Sequence, residues 1–294
     1  MQNAKIKNYI HLHFLVFIAG FTAILGELIT IEAIPLVWFR MLIAGILIFI
    51  YLKFKKITLS VTNDALKSFF IAGIVIALHW ITFFAAIKVS NISITLAMFS
   101  SGAFFASLIE PLFYKRKIII YELVFGFIVI VGVAIIVQAE LKNILGIILG
   151  ILSALFSTIF AVLNGKLVKF NSSSVITFYE FFSGVLFISL FLFLNGDFFQ
   201  SSMFKLSIND ILYLIILSSV CTAYAFIASV YVMRFISPYT VILSYNLEPI
   251  YGILLAIIFF PRSELMSSAF YFGAFIIIGT VIANAILKFK YFKN

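Results

Sequence analysis

Residues 118–138 read IIIYELVFGFIVIVGVAIIVQ, with Glu122 as the only charge. An α-helix rises about 1.5 Å per residue, so roughly 20 apolar residues match the ~30 Å hydrocarbon core of a bilayer. Comparable stretches fall at 12–31, 34–52, 67–87, 92–113, 144–165, 175–194, 210–232, 237–260 and 267–287, joined by loops too short to hold a soluble domain. Apolar residues make up 64% of the 294-residue chain and charged residues 11%, far from the balance of a soluble domain. The sequence therefore predicts an all-α integral membrane protein of ten transmembrane helices.

The basic residues orient it. Lys5, Lys7, Lys53, Lys55, Lys56, Lys67, Lys115, Arg116, Lys117, Lys166, Lys169, Arg234, Lys288, Lys290 and Lys293 fall on one side of such a bundle. Only Lys88, Lys142, Lys205 and Arg262 fall on the other. Positively charged loops are translocated poorly, so this bias places the N- and C-termini in the cytoplasm of a multi-pass cell (inner) membrane protein. The formal charge of +9 then acts as an insertion signal with some affinity for anionic headgroups. It does not indicate nucleic acid, because the basic residues are scattered over loop ends without interleaved stacking side chains. The first apolar run outlasts a signal-peptide core and lacks a small-x-small cleavage pattern, so it reads as a retained helix. Cys221 is alone, which removes disulfides and thiolate metal sites.

Shifting the chain by 147 positions aligns Ser90 with Ser237, Gly102 with Pro249, Gly126 with Gly273 and Gly132 with Gly279. Farther upstream a shift of 140 aligns Trp38-Phe39-Arg40 with Phe178-Tyr179-Glu180, the difference being absorbed by the longer loop at 195–209. Each half thus holds five spans, 12–138 and 144–288. An odd number of spans sets the second half upside down relative to the first, the inverted-repeat plan of many secondary transporters.

On these features the chain resembles the drug/metabolite transporter superfamily, specifically its EamA-type members. The resemblance is carried by Phe39-Arg40, Leu247-Glu248-Pro249, and Glu264 followed by Gly273 and Gly279. The first half departs from the pattern, with Ser101-Gly102 where a proline is common and Lys117 where the second half has Glu264. The resemblance implies transport of small metabolites, often amino-acid-like compounds moved outward. It also implies a cavity lined by spans one, three, four, six, eight and nine. By helix and depth, that maps substrate contacts onto Thr22, His79, Trp80, Ser101, Asn164, Tyr224, Asn246 and Glu248.

Ionisable groups at bilayer depth are costly unless paired or wetted, so each carries a functional expectation. Glu248 leads, being mid-span and followed by Pro249, which lacks an N–H and clashes with the carbonyl of Tyr245. The resulting kink frees an acceptor beside a carboxyl that could bind an ammonium group or carry a proton. The plain alternative is a neutral Glu bonded to another helix. Ser101 and Gly102 stand opposite by the repeat, either lining the site or letting helices approach closely. His79 and Trp80 read as a hydrogen-bonder and bundle filler, or as a substrate-stacking pair. Tyr224 and Thr222 share their depth. Arg40 and Glu180 are repeat mates on opposite sides, suited to structural or gating roles along with Gly102 and Pro249. Arg40 has Glu27 or Glu32 as candidate partners. Asn164 is placed on the inner half of a pathway.

No phosphate-binding loop, no His-Glu-x-x-His run and no partnered serine nucleophile occurs, so neither a nucleotide motor nor a familiar membrane enzyme is indicated, and no cofactor or metal is called for. Three classes remain: a secondary transporter, a membrane enzyme with an unfamiliar site, and a scaffold or assembly subunit. A transporter predicts a polar cavity at the repeat interface, an enzyme convergent catalytic groups, and a scaffold polar groups facing partner helices. The expected partners are a small-molecule substrate and the lipid bilayer, with protons as a candidate coupling ion and no second chain required for a pathway.

Overall fold

The protein is described by a computed structural model covering residues 2–115, 117, 119–196, 201–245 and 247–291. Among these residues the structure is helical throughout, without a strand. Helix α1 spans Gln2–Leu28, α2 Ala33–Phe54 and α3 Asn63–Val89. A fourth passage is built from α4 (Ile92–Phe99) and α5 (Gly102–Tyr114), and α6 (Ile120–Ala139) closes the first half. The second half runs through α7 (Ile144–Leu167) and α8 (Ser173–Leu194). Its next passage joins α9 (Ile208–Ser218) and α10 (Ala225–Val232) through a π-helical turn at Ser219–Tyr224. The chain ends in α11 (Pro238–Tyr245), α12 (Glu248–Phe259) and α13 (Ser268–Tyr291).

Eight of these passages are long and apolar enough to cross a bilayer. The ninth and tenth stretches yield shorter apolar helices, Glu248–Phe259 and the Ser268–Asn284 part of α13. For the ninth the reason is local: its helix is interrupted between Tyr245 and Glu248.

The two interrupted passages break at repeat-related positions. In the first half Ser100 and Ser101 tighten the chain, Ser101 N–H bonding to Met98 O (3.0 Å) and Phe104 N–H to Ser101 O (3.0 Å) three residues back. In the second half Leu247 N–H bonds to Ser244 O (3.0 Å) and Ile250 N–H to Leu247 O (3.1 Å), again three back. Pro249 stands in the first turn of α12, where its missing N–H costs nothing. Without water to satisfy freed backbone groups, such breaks persist only where other helices surround them. Ser100, Ser101, Gly102, Glu248 and Pro249 are all buried.

Packing between passages also comes in matched pairs. Helix α2 packs on its repeat mate α8, α6 on α13, and the broken pair α4–α5 on α12 and α11. Helix α1 lies on α12, as its mate α7 lies on α5. Lipid tails are as apolar as leucine, so helices associate through close packing rather than by escaping water. A Cβ on Gly132 would stand 3.0 Å from Gly273 O, and one on Gly273 would stand 2.9 Å from Gly132 O. Outward-facing Leu112, Phe127, Ile258 and Phe275 are exposed, as a lipid-facing belt requires.

The loops at the expected outer end are tied by carboxylates. Glu264 accepts the backbone N–H of Ile92 (3.0 Å) and Ser93 (2.9 Å), satisfying the first donors of α4, while the Asn91 side chain accepts from Ile94 N–H (2.8 Å). Asp210 completes a capping box with Ser207 and also accepts from Thr30 N–H (2.6 Å) and Thr30 Oγ1 (2.9 Å).

Candidate substrate cavity

A cavity of about 110 Å³ lies between the halves, well above the ~10–15 Å³ that a single water requires. Its walls come from α1, α2, α3, the α4–α5 break, α7, the α9–α10 passage and the α11–α12 passage. Most of the surface is aromatic or aliphatic, with Trp80, Phe83, Phe99, Phe160 and Phe226 foremost. Phe226 meets the Trp80 ring edge-on at 4.8 Å between centroids.

Into this apolar chamber the sequence brings two ionisable groups, one basic and one acidic. Arg40, on α2, is 1% exposed, and its guanidinium carbon sits 3.9 Å from the centre of the Trp80 ring, a stacked cation–π arrangement. Its Nε donates to Thr222 Oγ1 at 2.7 Å. Its Nη1 is buried without a hydrogen-bond partner among the described residues. Thr222 is available because the π-helical turn lets its hydroxyl donate five residues back, to Leu217 O at 2.6 Å, while its oxygen accepts from Arg40. Turns of this kind re-aim a helix face within one residue, and they are frequent at functional sites. The partner predicted for Arg40 is thereby corrected: Thr222 and Trp80 hold it, rather than Glu27 or Glu32.

Glu248 faces the same cavity from the first residue of α12. It is buried, and among the described residues its carboxyl makes no hydrogen bond, leaving the nearby charge of Arg40 as its electrostatic partner. A carboxylate at a helix N-terminus sits at the positive end of the dipole, which offsets part of its desolvation cost. Nearby, the Tyr245 and Ser229 hydroxyls bond to each other across α11 and α10.

The remaining candidates separate into groups. Thr22, His79, Trp80 and Glu248 line the cavity, as do Arg40 and Gly102. The His79 ring lies against Phe99, with Nδ1 2.9 Å from Ser153 Oγ and 3.0 Å from Ser153 O. Ser101 is buried beside the cavity rather than among its lining residues, and its hydroxyl has no partner among the described residues. Pro249 is buried immediately behind Glu248. Asn164 turns away from the chamber to donate to Glu180 Oε1 at 2.8 Å. Tyr224 is 44% exposed on the outer surface, where its hydroxyl meets His11 Nε2 at 2.9 Å. Asn246 lies outside the described residues.

The lining residues without a sequence expectation include the hydroxyl-bearing Ser157, Thr158 and Ser229 and the aromatic Phe226. Thr158 donates to Ala154 O (2.8 Å) and approaches Gly102 O (3.3 Å), so it reaches the broken fourth passage. The adjacent hydroxyls of Ser157-Thr158 inside an apolar span were the available signal. Among the described residues no group of histidine, cysteine and carboxylate side chains has the proximity to hold a metal ion.

A family model described as the EamA-like transporter family matches the sequence twice, over residues 8–138 and 144–285. No curated protein matches it. A solved structure described only as "Crystal structure of protein" is similar with a TM-score of 0.70 at 13% identity, over 96% of this chain and 98% of that one, and so shares the fold.

Proposed function

Because the chain belongs to the EamA-like transporter family, a family of membrane proteins that move small solutes, we propose that it is an exporter of amino acids or related zwitterionic metabolites. The observation that carries this reading is the pairing of Arg40 and Glu248 in one apolar chamber. An isolated buried ionisable group costs several kcal/mol when charged, and Arg40 and Glu248, left without direct hydrogen bonds to each other, invite a ligand that satisfies both. A carboxylate reaching Arg40 and an ammonium group reaching Glu248 do so at once. Trp80, Phe99 and Phe226 offer the intervening apolar surface for a side chain.

Transport proceeds by alternating access. Two inverted five-helix halves, 12–138 and 144–288, form ten spans with both termini cytoplasmic. The breaks at Ser100–Ser101 and beside Glu248 act as the bending points through which the cavity faces each side in turn. Ser101 and Asn246 serve the pathway beside the chamber, and Gly102 and Pro249 serve the bends. Support for a transporter over a scaffold comes from the direction of the polar groups. Arg40, Glu180 and Glu248 are buried within the bundle, whereas a scaffold would turn such groups toward partner helices.

The test is uptake and efflux of a panel of labelled amino acids in proteoliposomes, with and without a pH gradient. Saturable movement of a panel member, lost in Glu248→Ala while folded protein is retained, is the expected outcome. Movement that is indifferent to both Arg40→Ala and Glu248→Ala would refute the zwitterion site.

A further inference from the structure

We propose that Glu180 and Asn164 form a proton-binding site apart from the cavity, in which Glu180 holds a proton in the conformation described here. Both side chains are fully buried, and they bond to each other through Asn164 Nδ2 and Glu180 Oε1 at 2.8 Å. What remains on each is an orphan: Glu180 Oε2 and Asn164 Oδ1 are both buried without a partner among the described residues. Both orphans are acceptors, so no rearrangement of the ionised pair can satisfy them with each other. One proton on Oε2 changes the count. The pair then has a donor and an acceptor on each group, the complement set of a cyclic acid–amide dimer. Asn164 Oδ1 becomes the acceptor for that proton, and both orphans are removed together.

No charge stands by to do this instead. Helix α8 packs on α2, α3 and α10, and it meets α7 through Asn164. On α2, Arg40 is engaged by Thr222 and Trp80, and Tyr51 and Lys53 lie exposed near the helix end. On α3, Asp64 and Lys67 are exposed, His79 bonds Ser153, and Lys88 bonds Ile29 O. On α10 the titratable group is the exposed Tyr231, and on α7 it is Lys166, which donates to Phe113 O at 2.7 Å. Tyr179, beside Glu180 on α8, donates to Leu59 O at 2.8 Å. Among the described residues Asn164 is the one side chain that hydrogen-bonds the Glu180 carboxyl.

The position of the site gives the proton a consequence. One wall comes from the other half of the molecule: a Cβ on Gly73 of α3 would stand only 2.2 Å from Glu180 O, so the two backbones are in contact. Ser183 Oγ, one turn on, donates to Phe70 O of α3 at 2.8 Å. Water reaches Glu180 when α3 and α8 part, so proton release is tied to relative movement of the halves. That step rests on the alternating-access reading, whereas the protonated pair stands on its own geometry.

The experiment is infrared spectroscopy of the full-length protein in lipid bilayers at neutral pH. The wild type is expected to show a protonated-carboxyl stretch that Glu180→Gln removes and Glu248→Gln leaves in place. Asn164→Ala is expected to keep the band and move it to higher wavenumber, because the acid loses its hydrogen-bonded partner. Superimposable carboxyl regions in the wild type and Glu180→Gln would overturn the proposal. If Glu180→Gln does not fold, an Asn164→Ala band at the wild-type position would overturn it equally. The infrared result decides the site whether or not any amino acid moves in the transport assay, so failure there would fall on the transport reading alone.

Discussion

Gly73→Ala adds one methyl group where two helices leave no room for it. The new Cβ would lie 2.2 Å from Glu180 O, 2.8 Å from Ser183 Cβ and 2.9 Å from the Glu180 carbonyl carbon, whereas ordinary contact begins at 3.4 Å. The obstacle is backbone, so no side chain can swing aside. Relief therefore requires α3 and α8 to part by about 1.2 Å along that contact, taking the nearest distance from 2.2 Å to 3.4 Å. A gap of 0.5–1 Å already forfeits about a quarter to a half of each neighbouring dispersion contact, and overpacking of this kind costs ~1–3 kcal/mol. Gly184→Ala on the facing helix meets chiefly the flexible end of Met41 (Cε at 2.1 Å), with Gly73 O at 3.1 Å, so it is expected to cost less. Gly279→Ala is the control, because nothing lies within 4 Å of its Cβ position, and removing a helical glycine is neutral or favourable by up to ~1 kcal/mol. Unfolding midpoints of the three variants in lipid–detergent micelles titrated with SDS should rank Gly279→Ala highest and Gly73→Ala lowest. A Gly73→Ala midpoint equal to that of Gly279→Ala would refute the close α3–α8 crossing, and with it the inter-half wall over Glu180.

Glu264→Ala removes the acceptor for the Ile92 and Ser93 N–H groups, both of which are buried in these bonds, and should lower stability by ~1–2 kcal/mol in the same titration. Glu264→Gln keeps one acceptor oxygen and should fall between. Asp210→Ala unties Thr30 from the start of α9, and should raise proteolytic cleavage at the α1–α2 turn while leaving the other loops as they are. Arg40→Lys keeps the charge but loses the flat stack on Trp80 and the Nε bond to Thr222. The half-saturating concentration for transport should then rise roughly tenfold with little loss of folded protein. Glu248→Gln is expected to flatten the pH dependence of transport while retaining part of the binding, as measured by uptake across a pH series. An unchanged pH profile would remove Glu248 from proton handling.

The apolar stretches were legible because burial in lipid imposes a length and a composition, and both can be counted along a chain. The break beside Glu248 was legible for an equally local reason: Pro249 removes one N–H and crowds one carbonyl wherever it sits. The 147-residue shift pairs Gly102 with Pro249, but the break at Ser100–Ser101, where no proline stands, was read from sequence only as site lining or close helix approach. Which face of each helix turns inward could not be read in the same way. In a membrane the packed side and the lipid side are both apolar, so hydropathy does not tell them apart. Thr222 and Tyr224 stand two positions apart in one stretch, yet the first bonds Arg40 in the core and the second meets His11 on the surface. Both lie within the π-helical turn at Ser219–Tyr224, whose winding sets that phase and leaves no mark in composition. Arg40 with Thr222 is likewise a meeting of helices distant in sequence, and Asn164 with Glu180 is a direct bond between consecutive helices that no local pattern marks. The sequence by itself determined that the chain lies in a membrane, where its apolar stretches run and that one of them bends beside Glu248, because these follow from each residue and its near neighbours. Only the tertiary structure decided which polar groups share a chamber and which are sealed against another helix, because a buried polar group is satisfied by whatever the packing brings within about 3 Å of it.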